Sequence, residues 1–199
     1  RGVDTARFDP RRRSEALREA WAVGASDLVV ACVGRLAPEK NLALVERSFA
    51  AIQVWHPQAR MVWVGGGPSA KQLAADHPDH HFAGMRTGAD LAAHYASADL
   101  FLFPSLTETY GNVVAEAMAS ALPVLAYRSA AAAELIVDGV NGRWVAPGDE
   151  EGFRQAALDM LARADLLPAM GLAARQTMRA QHWGAVVERF ESVLCEAIS

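Results

Sequence analysis

The sequence predicts an α/β fold: a doubly wound, Rossmann-like parallel sheet of six strands with helices on both faces and a C-terminal helical extension. Three observations lead there. Short apolar runs rich in Val, Leu and Phe alternate with alanine-rich helical patterns along most of the chain. Those runs are continuously apolar rather than alternating, the pattern of strands covered on both faces. Alanine supplies 40 of the 199 residues, which favours a helix-rich fold. Repeated strand-then-helix order calls for right-handed crossovers, and hence for parallel neighbours.

Residues 1–12 contain Asp9-Pro10-Arg11-Arg12, show no periodicity and read as a linker remnant. A helix is expected near 13–22 and a strand over 28–33. The loop from Gly34 to Lys40 is constrained by glycine and proline, and Asn41 is expected to cap a helix over 41–55. The strand over 61–64 runs into Gly65-Gly66-Gly67-Pro68, read as a tight turn, and a helix follows near 69–75. A Pro-Asp-His-His turn leads to a strand over 80–82, the loop Phe82 to Gly88 and a helix over 89–97. The strand over 100–103 stops at Pro104, and a polar loop runs into a helix over 111–121 that begins near Gly111. A strand over 124–126, a helix over 130–137 and a strand over 143–145 complete the sheet. Beyond about 148 only helices remain, near 150–163, 166–180 and 184–197. The last carries Trp183, Val186, Val187, Phe190, Leu194 and Ile198 as an apolar stripe, suited to pack on this sheet or against another part of the protein.

Composition excludes several classes. With 52% apolar and 21% charged residues the chain can bury a core, which rules out disorder. The 19 Lys+Arg against 23 Asp+Glu, net −4, argue against nucleic acid as a partner while leaving room for a local cationic pocket. Cys32 and Cys195 are too few for a disulfide framework and read as reduced thiols of a cytoplasmic protein. No apolar run reaches the roughly 18 residues of a membrane helix, because Arg128 and Glu134 interrupt the best candidate. The opening Arg1-Gly2-Val3-Asp4 lacks a methionine and points to a piece of a longer protein, so a missing targeting segment carries no weight. No nucleophile elbow or metal cluster stands out: His77, His80 and His81 belong to a turn and a strand start, and Trp21, Trp55 and Trp63 read as core.

Ligands of open parallel sheets bind where βα loops and helix N-termini converge, at the carboxyl ends of the strands. Arg35 and Lys40 fall on such a loop, and two cations beside a helix N-terminus suit a diphosphate; a solvated loop with Lys40 paired to Glu39 is the plainer alternative. The strongest feature is Pro104 to Ala119. Glu108 sits in the loop before the helix and Glu116 about a turn and a half inside it, with the free amides of Tyr110, Gly111, Asn112, Val113 and Val114 between them. Carboxylates accept hydrogen bonds from vicinal sugar hydroxyls, and helix amides receive phosphate oxygens. A ligand with two hydroxyl-bearing rings joined by a diphosphate would use all of these groups. The Phe82 to Gly88 loop would line the same end and could hold a planar base or be a plain turn.

The segments Gly34-Arg35-Leu36 with Glu39-Lys40-Asn41, Val64-Gly65-x-Gly67-Pro68, Tyr95-Ala96-Ser97-Ala98-Asp99, and Pro104-Ser105 with Glu108 to Ala119 together resemble the retaining GT-B, or group 1, glycosyltransferases. So do Leu122-Pro123-Val124 and Asn141-Gly142 with Pro147-Gly148-Asp149. The resemblance, from about residue 2 to 190, implies the C-terminal, donor-binding half of a two-domain enzyme. Residues 13–180 would be that donor domain, and 181–199 a helix crossing to an N-terminal acceptor domain outside this chain. It further implies that Arg35 and Lys40 bind the donor diphosphate, with Gly34 beside them, and that Glu116 holds the nucleotide ribose. Glu108 would contact the transferred sugar, and Tyr110 to Val114 sugar and phosphate through their backbone. Met85, Arg86 and Gly88 would meet the base. Such enzymes work without a metal or other cofactor, on a nucleotide-sugar donor.

Two departures stand out: Ala121, where the family usually carries glycine, and Gly66, where an acidic or polar residue is frequent. The Thr107 to Val113 stretch looks most like GDP-mannose-dependent α-mannosyltransferases and somewhat like sulfolipid-forming enzymes that use a UDP-sugar. The acceptor, a glycan or lipid, stays open, as does peripheral membrane association of a full-length enzyme. A sugar-nucleotide epimerase and a non-catalytic interaction module built on the stripe around Phe190 and Leu194 are the alternatives.

Overall fold

Continuous apolar runs become the buried central strands, and the less apolar strands at the two edges are only partly covered. In the computed structural model, which describes residues 2–108 and 112–181, the strands are β1 (Val29–Val33), β2 (Arg60–Val64), β3 (His81–Gly84), β4 (Leu100–Phe103), β5 (Val124–Tyr127) and β6 (Arg143–Val145). All are parallel, in the order β3-β2-β1-β4-β5-β6. The order reverses between β1 and β4, which leaves a crevice outside their carboxyl ends. Around the sheet lie α1 (Glu15–Ala20), α2 (Leu42–Trp55), α3 (Ala70–Asp76), α4 (Gly88–Ser97), α5 (Asn112–Ala119), α6 (Ala130–Leu135), α7 (Glu150–Ala162) and α8 (Leu167–Ala180).

Strand alternation sends successive side chains to opposite faces, and each face has its own core. Val29, Ala31, Val33, Phe101, Phe103, Val124 and Ala126 pack with residues of α4, α5, α6 and α8. Val30, Cys32, Met61, Trp63, Leu100, Leu102, Leu125 and Tyr127 pack with α2 and α7. Cys32 is buried, which pushes its thiol up to about 12 and keeps it an inert core group. Among the described residues no helix is long and apolar enough to cross a membrane.

Apart from shifts at element ends, two sequence expectations need correction, and the leading segment has contacts of its own to the fold. Asn41 does not cap α2 with its side chain; it takes a left-handed backbone (φ 52°) where a 3-10 turn over Pro38–Lys40 meets the helix, and its carbonyl accepts from Leu44 instead. Trp55 lies on the last turn of α2 and is 76% exposed, not core; Trp21 and Trp63 are buried as expected. Residues 2–12 pack into the fold: Val3, Phe8 and Asp9 are buried, and the Arg175 guanidinium on α8 pairs with Asp9 at 2.6 Å and donates to the Phe8 carbonyl at 2.9 Å. The expected helix over 184–197, with its stripe, lies outside the described residues.

Ala121 is strained where glycine would not be. It follows α5 with φ 57°, its N–H donating to the Met118 carbonyl and that of Leu122 to Ala117, the Schellman arrangement that favours glycine at this position. A left-handed conformation costs an L-residue about 1–2 kcal/mol. Ala121→Gly is therefore expected to stabilise the chain by about 1 kcal/mol after glycine's extra unfolded-state entropy, as checked by urea unfolding.

Candidate active site

Three βα loops are sewn together at the carboxyl ends of β1, β2 and β3. The Gly34 amide donates to Val64, Leu36 to Gly66, Gly65 to Gly84 and Ser69 to Leu36. These crossings are so close that a Cβ on Gly65 would stand 1.9 Å from the Gly34 carbonyl oxygen, and one on Gly67 2.3 Å from that of Leu36. The triplet is thus more than a turn: its outer glycines let two loops touch backbone to backbone.

The loops and α5 enclose a cleft of about 560 Å³ lined by Gly34, Arg35, Gly65 to Gly67, Met85, Arg86, Leu91, Val113 and Glu116. Of the residues singled out from sequence, Gly34, Arg35, Met85, Arg86, Val113 and Glu116 meet there. Gly88 opens α4 with φ 58° and does not line the cleft; Val114 is buried in the core, leaving only its backbone as a contact. Asn112 begins α5 and is exposed, while Tyr110 and Gly111 lie outside the described residues.

Arg35 is 67% exposed and only 3.7 Å from Glu39, a weak surface pair that leaves its guanidinium at the cleft at little cost. Lys40 is held differently. Its ammonium pairs with the Glu108 carboxylate and donates to the Thr107 carbonyl at 3.2 Å and Ser105 Oγ at 3.4 Å. Both partners are largely buried, at 17% and 13% exposed. Lys40 therefore pairs with Glu108 rather than Glu39, joining two groups to which the family resemblance gives separate roles, and neither lines the cleft. Arg86 donates to the Ala83 carbonyl at 2.8 Å and reaches Asp90 at 3.1 Å, which stiffens the loop around Met85.

Glu116 is half-buried, and burial raises its pKa above the usual carboxylate value; a hydrogen bond from Tyr95 and the charge of Arg7 work in the opposite direction. The Tyr95 hydroxyl donates to Glu116 Oε2 at 3.0 Å. Sequence reading missed this contact, for which no local signal exists: the residues stand 21 positions apart on adjacent helices.

Two other features of the molecule do not form a donor site. A larger cavity of about 710 Å³ lies at the opposite end of the sheet, bordered by Trp55, Ala98, Ala121 and Leu161. Helices α2, α4, α5 and α7 end there, so their dipoles present carbonyl groups that disfavour an anion. His77, Asp79 and His80 bring ligand-type atoms within 4.8 Å of one another. However, the Trp63 indole N–H donates to His80 Nδ1 at 3.1 Å, so the neutral ring carries its proton on Nε2 and has no free in-plane lone pair. His77 stacks on that ring at 4.5 Å and meets Glu46 at 2.8 Å, and burial lowers the pKa of His80 to about 4. The trio is a packing cluster.

A family model described as glycosyl transferases group 1 matches residues 27–163. A GDP-mannose-dependent alpha-mannosyltransferase of Corynebacterium glutamicum is 35% identical over 186 residues, 94% of this chain and 44% of that protein. A sucrose-phosphate synthase from Thermosynechococcus elongatus superposes with a TM-score of 0.81 at 22% identity, covering 99% of this chain and 51% of that one. Anabaena HepE, solved in complex with UDP-glucose, superposes with a TM-score of 0.77 at 24% identity, covering 98% and 56%. The two structural likenesses speak for the fold, a GT-B one. The chain spans about half the length of the curated relatives it matches. By the extent of the family match and its identity to these relatives, the chain belongs to the group 1 glycosyltransferases.

Proposed function

We propose that this chain is the nucleotide-sugar donor-binding half of a retaining group 1 glycosyltransferase, which transfers mannose from GDP-mannose to a glycan or lipid acceptor held by a separate N-terminal domain. The observation that carries this reading is a single cleft at the chain's topological switch point that combines a cation, Arg35, an acid, Glu116, and the first turn of α5. The preference for GDP-mannose rests on the names of the relatives.

The groups divide the donor between them. Free amides at the start of α5 and the guanidinium of Arg35 receive the diphosphate, and Lys40 lies on the same loop as Arg35. When the bond from the sugar to the diphosphate breaks, negative charge grows on the leaving phosphate. Fixed cations and amides stabilise that charge without reorganising, so the reading requires no metal. Glu116 accepts hydrogen bonds from the ribose hydroxyls and Met85 and Arg86 border the base; Glu108, which pairs with Lys40 and does not line the cleft, is assigned to the transferred sugar by the family resemblance alone.

Titration calorimetry of GDP-mannose and UDP-glucose into the chain tests this. GDP-mannose is expected to bind more tightly, and Glu116→Ala to weaken it by about 1.5–3 kcal/mol, as for a lost hydrogen bond to a charged group. Because the raised pKa of Glu116 belongs to an acid that must be ionised to accept these bonds, affinity should fall as pH drops through a point above 4.5. That fall should be absent in Glu116→Gln. Unchanged affinity in Glu116→Ala would remove this residue from the site.

A further inference from the structure

Glu116 is a glutamate on a helix, with three rotatable bonds, and among the described residues no neighbour on its own helix hydrogen-bonds its carboxylate. What fixes it comes from α4. Tyr95 is fully buried, and its ring is wedged edge-on between Phe8, with centroids 5.8 Å apart and planes at 76°, and Phe101, at 5.9 Å and 70°. A ring held on two sides cannot swing, so its hydroxyl occupies one point beneath the cleft. That point is 3.0 Å from Glu116 Oε2. The other oxygen, Oε1, takes no hydrogen bond among the described residues, although Glu116 lines the cleft.

We propose that Tyr95 is a positioning residue for the donor site: it clamps one carboxylate oxygen of Glu116 from below and so presents the other to the ribose hydroxyls. This inference rests on the reading of Glu116 as the ribose-holding group. Its chemistry is one-directional. Burial, and then the negative charge of Glu116, push the phenol well above its ordinary pKa, so the hydroxyl remains a donor throughout the working range. Phe8 extends the device into the leading segment, where the main chain around the ring is tied to α8 by Arg175. Preorganisation of this kind stabilises the complex by sparing Glu116 the loss of rotamer freedom when the nucleotide arrives.

The experiment is a cycle with a modified ligand. GDP and 2′,3′-dideoxy-GDP, which lacks both ribose hydroxyls, are titrated into the chain and into Tyr95→Phe, Glu116→Ala and the double variant. Tyr95→Phe is expected to weaken GDP about 5- to 10-fold and to leave dideoxy-GDP within twofold. In the Glu116→Ala background the same change should cost nothing further, since the clamp then holds nothing. An equal loss for both nucleotides would overturn the proposal by showing that Tyr95 supports the fold alone. So would Tyr95→Phe binding GDP as wild type does while Glu116→Ala binds it poorly. If Glu116→Ala itself weakens both nucleotides alike, the reading of Glu116 as ribose holder fails, and the clamp with it. Should Tyr95→Phe not fold, Phe8→Leu, which loosens the ring and keeps the hydroxyl, is expected to give a smaller loss confined to GDP; no selective loss there would also overturn it.

Discussion

Gly65→Ala is expected to destabilise the chain by more than about 3 kcal/mol, whereas Gly66→Ala, one residue on, leaves its stability unchanged or slightly raised. The physical difference is local. Gly65 has a φ of 136°, a region L-residues rarely adopt, and its Cβ would overlap the Gly34 carbonyl oxygen at 1.9 Å. Neither loop can retreat, since the Gly65 amide is bonded to Gly84 and the Gly34 amide to Val64. Gly67→Ala should behave like Gly65→Ala on steric grounds, its Cβ lying 2.3 Å from the Leu36 carbonyl oxygen. Gly66 has open space around it and no left-handed backbone, so alanine there reduces only the freedom of the unfolded chain. Thermal and urea unfolding of the three variants check this, and nucleotide binding should follow the same split.

Loss of both cations of the first loop, in Arg35→Ala/Lys40→Ala, is expected to lower GDP affinity on the order of 100-fold while leaving guanosine nearly unaffected, because charge-assisted bonds to phosphate are the stronger ones. Lys40 carries a second consequence. Its removal alone strands the largely buried Glu108 carboxylate, which costs roughly 1–3 kcal/mol of stability. Lys40→Ala/Glu108→Gln should recover most of that stability and none of the GDP affinity. Comparing the two variants by unfolding and by titration separates the structural pair from the proposed phosphate contact.

Much of the sheet could be read directly. The bounds of β4 and β6 match because β4 is an apolar run closed by Pro104, and β6 is a short strand that Pro147 and Gly148 soon end. β3 runs later than its sequence suggests, over His81–Gly84, because pairing with β2 rather than local preference decides its end, with Gly84 opposite Val64. Asn41 has an N-cap's identity but not its geometry, since the preceding 3-10 turn forces a left-handed residue at the junction. For the site, loops after strands converge by topology, and Arg35, Met85, Arg86 and Glu116 could therefore be grouped from sequence alone. The contacts that connect separate elements could not. Lys40 with Glu108 spans 68 positions and Tyr95 with Glu116 spans 21, and both depend on strand order, which no local pattern encodes. Trp55 misled because an aromatic on an apolar helix normally faces the core; it follows the buried Ile52 by three residues, yet on the last turn of α2 it is exposed.

Whether the cleft takes a nucleotide-sugar donor is decided by calorimetric titration of GDP-mannose into the 199-residue chain, with Arg35→Ala/Lys40→Ala run in parallel. One saturable site is expected in the wild-type chain and a far weaker one in the double variant. Equal binding by both proteins, or no heat from the wild type at millimolar donor, would contradict this expectation.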